Sequence, residues 1–126
     1  MIAEEIATDL QTQGLGTLAT DLFIGNLPDT PDNALVVIDT GSLEPDKYLP
    51  FARTTFQIMV RNKTYAQGRA KLEAVKTRLH RLTNIIMGTK HVFYILANTD
   101  GGHVGRDDAG RELFSINFRT ETRPQS

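Results

Sequence analysis

The sequence predicts an α+β protein, a two-layer sandwich in which two helices pack on one face of a mixed, mainly antiparallel sheet of four to five strands. Three observations support this class. Apolar residues recur at helical spacing in two segments, alternate with polar residues in two others, and run continuously in two more. Glycine, proline and asparagine separate these segments, so each is short enough to form one element.

The helical segments are residues 2–13 and 65–86, and glycines follow both, at Gly14 and Gly88. In the first, an isoleucine or leucine recurs every fourth residue, and acidic side chains lie beside that stripe. In the second, apolar residues recur at spacings of three, four or seven, at Tyr65, Leu72, Val75, Leu79, Leu82 and Ile86.

The predicted strands differ in pattern. Residues 34–38 and 91–97 are continuously apolar, which is typical of strands buried on both faces, whereas 54–61 and 113–119 alternate. Residues 22–25 form a short apolar segment at a predicted edge. The alternation predicts a dry face made of Phe56, Ile58, Val60, Phe114, Ile116 and Phe118. It leaves a mixed face made of Gln57, Met59, Arg61, Ser115, Asn117 and Arg119.

The remaining segments are rich in turn residues. Residues 26–33, 39–50 and 98–110 are predicted as loops, and 119–126 as a flexible tail. At 126 residues the chain has the length of one domain, so we expect residues 1–126 to form a single domain.

Charge is divided unevenly along the chain. Residues 1–50 carry nine acidic residues and one basic residue, a net charge of −8; residues 51–126 carry six acidic and thirteen basic residues, a net charge of +7. Two interpretations remain open. Folding could mix the two halves, or an acidic flank and a basic flank could stack head-to-tail on other copies.

Several functional classes lack their motifs. The chain has no cysteine, no Gly-x-Ser-x-Gly elbow, and no glycine pattern of a P-loop or dinucleotide site. We therefore expect no enzyme activity, no cofactor and no metal. The acidic N-terminus and the short apolar stretches predict a soluble chain, cytoplasmic at synthesis, with no membrane partner.

Two weaker alternatives stay open. The loop Gly101–Arg111 holds His103, Asp107 and Asp108, which could serve a small metal-dependent enzyme, although the spacing matches no known calcium loop and a docking loop is preferred. The second alternative is a nucleic-acid-binding accessory protein that uses a basic stripe. That stripe, opposed by Glu73, consists of Lys63, Arg69, Lys71, Lys76, Arg78, Arg81 and Lys90.

Three segments, Leu27–Gly41, Thr55–Leu82 and Gly105–Arg123, together resemble minor capsid or tail-terminator-like proteins of long-tailed, siphovirus-type phages. The resemblance implies a structural protein that forms a ring, typically a hexamer, at the head-proximal end of the tail tube. Such a ring stops tube polymerisation and provides the surface for head–tail joining.

The resemblance also implies partners and a place. The partners would be other copies of the chain, the tail tube protein, a head-completion or connector protein, and genomic DNA that crosses the lumen without sequence recognition. The place would be the head–tail interface of the virion, after assembly in the host cytoplasm. No catalytic residue is implied.

A ring requires residues at interfaces and residues that line the lumen. The predicted subunit or partner contacts are Arg61, Arg69, Arg78, Arg106, Asp107, Asp108 and Arg111. The predicted lumen-facing residues are Gln57, Asn117 and Arg119.

Overall fold

A computed structural model describes residues 2–42 and 52–124 of the chain. Within these ranges it contains two helices and seven strands, which confirms the α+β class. In chain order the elements are α1 (Ala3–Thr12), β1 (Leu22–Ile24), β2 (Ala34–Ser42), β3 (Ala52–Asn62), α2 (Tyr65–Leu79), β4 (Leu82–Met87), β5 (Lys90–Ala97), β6 (Gly102–Arg106) and β7 (Glu112–Pro124).

The described strands form one sheet in the order β1-β2-β3-β7-β5-β4. The short β6 pairs with the first part of β7, and β5 pairs with its last part, so β6 and β5 follow one another along the same edge of β7. The β1–β2 pair is parallel and all the others are antiparallel. The mixed, mainly antiparallel sheet is confirmed, but the prediction of four to five strands was too low.

The core lies between one face of this sheet and the two helices. All six residues of the predicted dry face are at most 1% exposed, and the rings of Phe56 and Phe118 stack with their centroids 5.0 Å apart. Ile6 and Leu10 of α1 and Leu72 and Val75 of α2 pack into the same cluster. Each such side chain contributes about 1.5–3 kcal/mol when fully buried. The placement of both helices on one face is confirmed.

The second helix is shorter than predicted. It ends at Leu79, and Leu82–Met87 forms strand β4. The chain reverses at Arg81, whose φ is +68°, so the helix cannot continue there. The spacing of Leu82 and Ile86 was compatible with a helix, but this segment also contains β-branched residues that suit a strand paired with β5.

Three predicted irregular segments contain strand. The described part of 39–50 belongs to β2 as far as Ser42, and the rest lies outside the described residues. The loop 98–110 contains β6. The prediction of a flexible tail from residue 119 is wrong as far as Pro124, because β7 pairs with β3 as far as Thr122 and with β5 as far as Pro124. Thr120 is 1% exposed, and its hydroxyl donates to the Tyr94 carbonyl at 2.7 Å.

Candidate assembly surfaces

Ion pairs join the acidic and basic halves within the described parts of one chain. Lys90 Nζ lies 2.8 Å from Glu5 Oε1. Arg78 binds Asp9 through two hydrogen bonds of 2.6 and 2.8 Å, which link α2 to α1. The hydrogen bond to Asp9 raises the pKa of Arg78 above its ordinary value. These pairs favour the interpretation in which folding mixes the two charged halves.

Arg111 is the centre of a charged network that joins residues 26–33 to the turn between β6 and β7. Its Nη2 donates to Asp29 Oδ1 at 2.8 Å and its Nε to Asp107 Oδ2 at 2.7 Å, while Nη1 lies 3.3 Å from Asp32 Oδ1. The Arg111 backbone N–H, and then its guanidinium, lower the pKa of Asp107 against the opposing effect of burial. Hydrogen bonding to Lys63 is the main cause of the lowered pKa of Asp32. The planar guanidinium suits this fork of acceptors.

Arg61, in strand β3, binds the backbone of residues 26–33. It is 4% exposed, and its Nη2 and Nε donate to the carbonyl oxygens of Pro31 and Asp32 at 2.6 and 3.2 Å. Burial lowers the pKa of Arg61, and the positive charge of Arg111 acts in the same direction. Three of the predicted contact residues, Arg61, Asp107 and Arg111, therefore form one intramolecular cluster that holds residues 26–33 against the β6–β7 turn.

Glu112 is a third buried charged residue at this end of the sheet, after Arg61 and Arg111. Its carboxylate forms a hydrogen bond with His103 Nε2 and accepts one from Arg106 Nε at 2.7 Å. The His103 contact is the main cause of the lowered pKa of Glu112. Asp107 faces Arg111, and across residues 2–42 and 52–124 no three His, Asp or Glu side chains gather in a way that could hold a metal ion.

Most side chains of the basic stripe form hydrogen bonds or ion pairs within their own chain. Lys71 Nζ donates to the Leu15 carbonyl at 2.8 Å, and Lys76 Nζ donates to Asp100 Oδ1 at 2.8 Å. With the pairs of Lys63, Arg78 and Lys90, and the contact of Arg69 with the Tyr65 hydroxyl, six of the seven stripe residues have intramolecular partners. A stripe in this state offers few free charges to phosphate groups. Neither helix of the described chain is long and apolar enough to cross a membrane.

The predicted lumen residues lie together on the sheet face opposite the helices. Gln57 of β3 stands directly opposite Asn117 of β7, and Arg119 is two residues further along the same face, opposite Thr55. Gln57 and Asn117 are half-buried and Arg119 is exposed. No described helix packs on this face, but Ile38 stands opposite Gln57 and Leu96 opposite Arg119, so the surface that these side chains form is mixed polar and apolar.

A family model for bacteriophage tail terminator protein matches residues 9–123. The chain belongs to this family. Among solved structures, a chain of the virion of a native gene transfer agent (GTA) particle has the same fold, with a TM-score of 0.65, 17% sequence identity, and coverage of 96% of this chain and 95% of that one. The comparison with curated proteins finds no match.

The family assignment makes the chain a structural component of the phage tail in the virion, and confirms the resemblance inferred from the sequence. Among the predicted contact residues, Arg69, Arg106 and Asp108 have exposed positions that a neighbouring molecule could reach. Arg78 is engaged with Asp9 of its own chain. Whether any of the seven contacts another subunit stays a prediction.

The sequence pattern did not reveal two surface features. One is an aromatic cluster at the start of α2, in which the rings of Tyr65, His103 and Phe114 lie 5.2–5.3 Å apart, centroid to centroid. The other is a groove between α1 and the β4–β5 turn, lined by acidic and hydroxyl side chains. Both combine residues distant in sequence, and the groove also depends on β4, which was predicted as helix.

Proposed function

We propose that this tail terminator closes a ring, of six copies in the simplest case, at the head-proximal end of the tail tube. The ring stops addition of tube protein and presents the surface on which the head-completion or connector protein joins. The observation that carries the proposal is the match of residues 9–123 to the tail terminator family. The structure adds a monomer whose helices cover only one face of the described sheet.

A ring of identical subunits uses two different surfaces of each chain, because each copy meets one neighbour on each side. In the described residues most charges of the acidic and basic halves are already paired inside the subunit. General attraction between an acidic flank and a basic flank is therefore too weak a basis for assembly. Contacts must come from side chains that the fold leaves exposed, among which Arg69, Arg106 and Asp108 remain candidates.

The lumen is proposed to be lined by the uncovered sheet face around Gln57, Asn117 and Arg119. Two amides and one guanidinium form a polar surface with little net charge, and amides carry no charge that would hold DNA tightly. Such a surface suits a polyanion that passes through without being recognised in sequence.

The test is assembly of tails with and without the protein. Electron microscopy of tubes polymerised from tail tube protein should show capped ends of uniform appearance, and shorter tubes, when the chain is added during polymerisation. The purified chain alone should form rings at high concentration. Tubes that keep growing in its presence, with no ring at either end, would contradict the proposal. An equal mass of bovine serum albumin controls for non-specific crowding.

A further inference from the structure

The described residues expose four large apolar side chains, and two of them, Tyr65 and Ile86, lie in two patches of opposite charge. Tyr65 and Val104, 46% and 58% exposed, flank the start of α2 and β6. Ile86, 58% exposed, lies in the groove beside α1. An exposed apolar side chain beside a charged group, or in a groove, is a candidate contact for another molecule.

The first patch, here called the aromatic patch, consists of Tyr65, Arg69 and His103. The rings of Tyr65, His103 and the buried Phe114 contact one another, so the exposed Tyr65 ring packs on a buried base. Arg69 lies one helical turn further on, and its Nη1 is 3.5 Å from the Tyr65 hydroxyl. Within the described chain Arg69 has no acidic partner. Tyrosine and arginine on a rigid base are the residue types that dominate binding energy at protein interfaces.

The second patch, here called the acidic groove, has a volume of about 420 Å³ and is lined by Glu4, Glu5, Thr8, Asp9, Thr12 and Ile86, among others. Glu5 and Asp9 hold Lys90 and Arg78 of the same chain. Glu4 is exposed and has no basic partner among the described residues. The groove therefore combines an unpaired carboxylate with an exposed isoleucine.

The two patches lie at opposite ends of β7. Phe114, whose ring contacts Tyr65, lies near the start of that strand. Arg123 lies near its end and pairs with His91 of β5, which pairs in turn with Ile86 of β4. Nine residues of extended strand separate these positions by about 30 Å. In a head-to-tail contact, one surface of each copy binds a different surface of the next. The two patches meet this requirement because they are separate, their charges are complementary, and each exposes an apolar side chain.

We propose that the aromatic patch of one copy binds the acidic groove of the next, with Arg69 directed at Glu4 and Tyr65 packed against Ile86. The ring closure that would follow rests on the proposed function; the pairwise contact itself does not.

The absence of cysteine from the sequence allows a direct test. The variants Thr8→Cys, in the acidic groove, and Ala66→Cys, next to Tyr65 on α2, keep both charged residues and are exposed. They are prepared separately, mixed, and treated with a short bis-maleimide cross-linker. If the patches bind, the mixed dimer should exceed either homodimer by about tenfold, because a bound neighbour holds the two thiols at millimolar effective concentration. The matched control replaces Ala66→Cys with Thr77→Cys, an exposed position on the same helix, and should give only background.

Each outcome decides one point. Mixed dimers no more abundant than the homodimers or the Thr77→Cys control would overturn the contact, and would point to a different partner for each patch. Specific mixed dimers without rings in electron micrographs of the unmodified chain would support the contact and count against ring closure. Rings without specific cross-linking would support the proposed function and overturn this contact. Circular dichroism of each variant verifies that it is folded before mixing.

Discussion

Gly68 sets how closely α2 can approach the sheet. A Cβ built at this position would lie 2.4 Å from Phe114 Cε2 and 3.2 Å from Asn62 Cβ, both too close for contact without movement. Phe114 is buried and its ring contacts Tyr65 and His103, so it has little room to move. The glycine is required by packing rather than by its backbone conformation, which is helical.

We therefore expect Gly68→Ala to destabilise the protein. Overpacking costs about 1–3 kcal/mol, and this outweighs the gain of about 1 kcal/mol that alanine brings to a helix interior. Urea denaturation would measure the difference. The control is Ala70→Gly at an exposed position of the same helix, which should lose only the propensity term. A Gly68→Ala variant more stable than the parent would contradict the close packing of α2 on Phe114.

At the scale of elements, Asp39 connects strand β2 to the start of α1. Its Oδ1 accepts hydrogen bonds of 3.2 Å from the backbone N–H groups of Ile2 and Ala3. These amides have no partner inside the helix, and a negative charge at this end also suits the helix dipole. The start of α1 is thus capped from a strand 36 or more residues away in the sequence.

Replacing Asp39→Ala should cost about 1 kcal/mol, the usual effect of losing a helix cap. Asp39→Asn keeps an oxygen acceptor, so it should retain most of the stability and serves as the control. Thermal unfolding followed by circular dichroism gives both values. Equal losses in the two variants would show that the charge of Asp39, rather than its acceptor oxygen, is what matters.

The elements that the sequence predicted well are those with one dominant pattern. Alternation in β3 and β7 was sufficient to place Phe56 and Phe118 on the helix-covered face. The failures occurred where tertiary pairing decides the structure. Leu82–Met87 has apolar spacing that fits helix and strand alike, and β5 provides the partner that makes it a strand. The polar sequence at the end of β7 is typical of a flexible tail, but it forms a strand because it pairs with β3 and β5.

The candidate surfaces were less predictable for the same reason. Charged residues such as Arg61 and Arg111 stood out in the sequence as interface candidates, yet their partners are turns that only folding brings near them. Gln57 and Asn117 could be grouped in advance, because alternating strands assign whole faces. The acidic groove requires α1 beside the β4–β5 turn, which no local pattern indicates.

At the scale of the whole molecule, the folded chain keeps several carboxylates ionised by giving them cationic partners. The pKa values of Asp32, Asp107 and Glu112 are all lowered, chiefly by hydrogen bonds from Lys63, the Arg111 backbone and His103 respectively. Two of these carboxylates lie in the cluster that joins residues 26–33 to the β6–β7 turn. Stability of the fold is therefore linked to the charge state of that end of the sheet.

The linkage predicts a specific loss of stability in acid. A carboxyl whose pKa is lower in the folded state stabilises the protein above its unfolded pKa, near 4.5 for Glu112, and the contribution disappears as the pH falls through the lowered value. The melting temperature should therefore fall from about pH 4.5 downward.

In Glu112→Gln this decline should be shallower, and the variant should be less stable than the parent at pH 7 because His103 and Arg106 lose their anionic partner. Glu4→Gln, at an exposed carboxylate with no basic partner among the described residues, should leave the profile unchanged. Parallel profiles for the parent and Glu112→Gln would mean that this carboxylate does not couple protonation to folding.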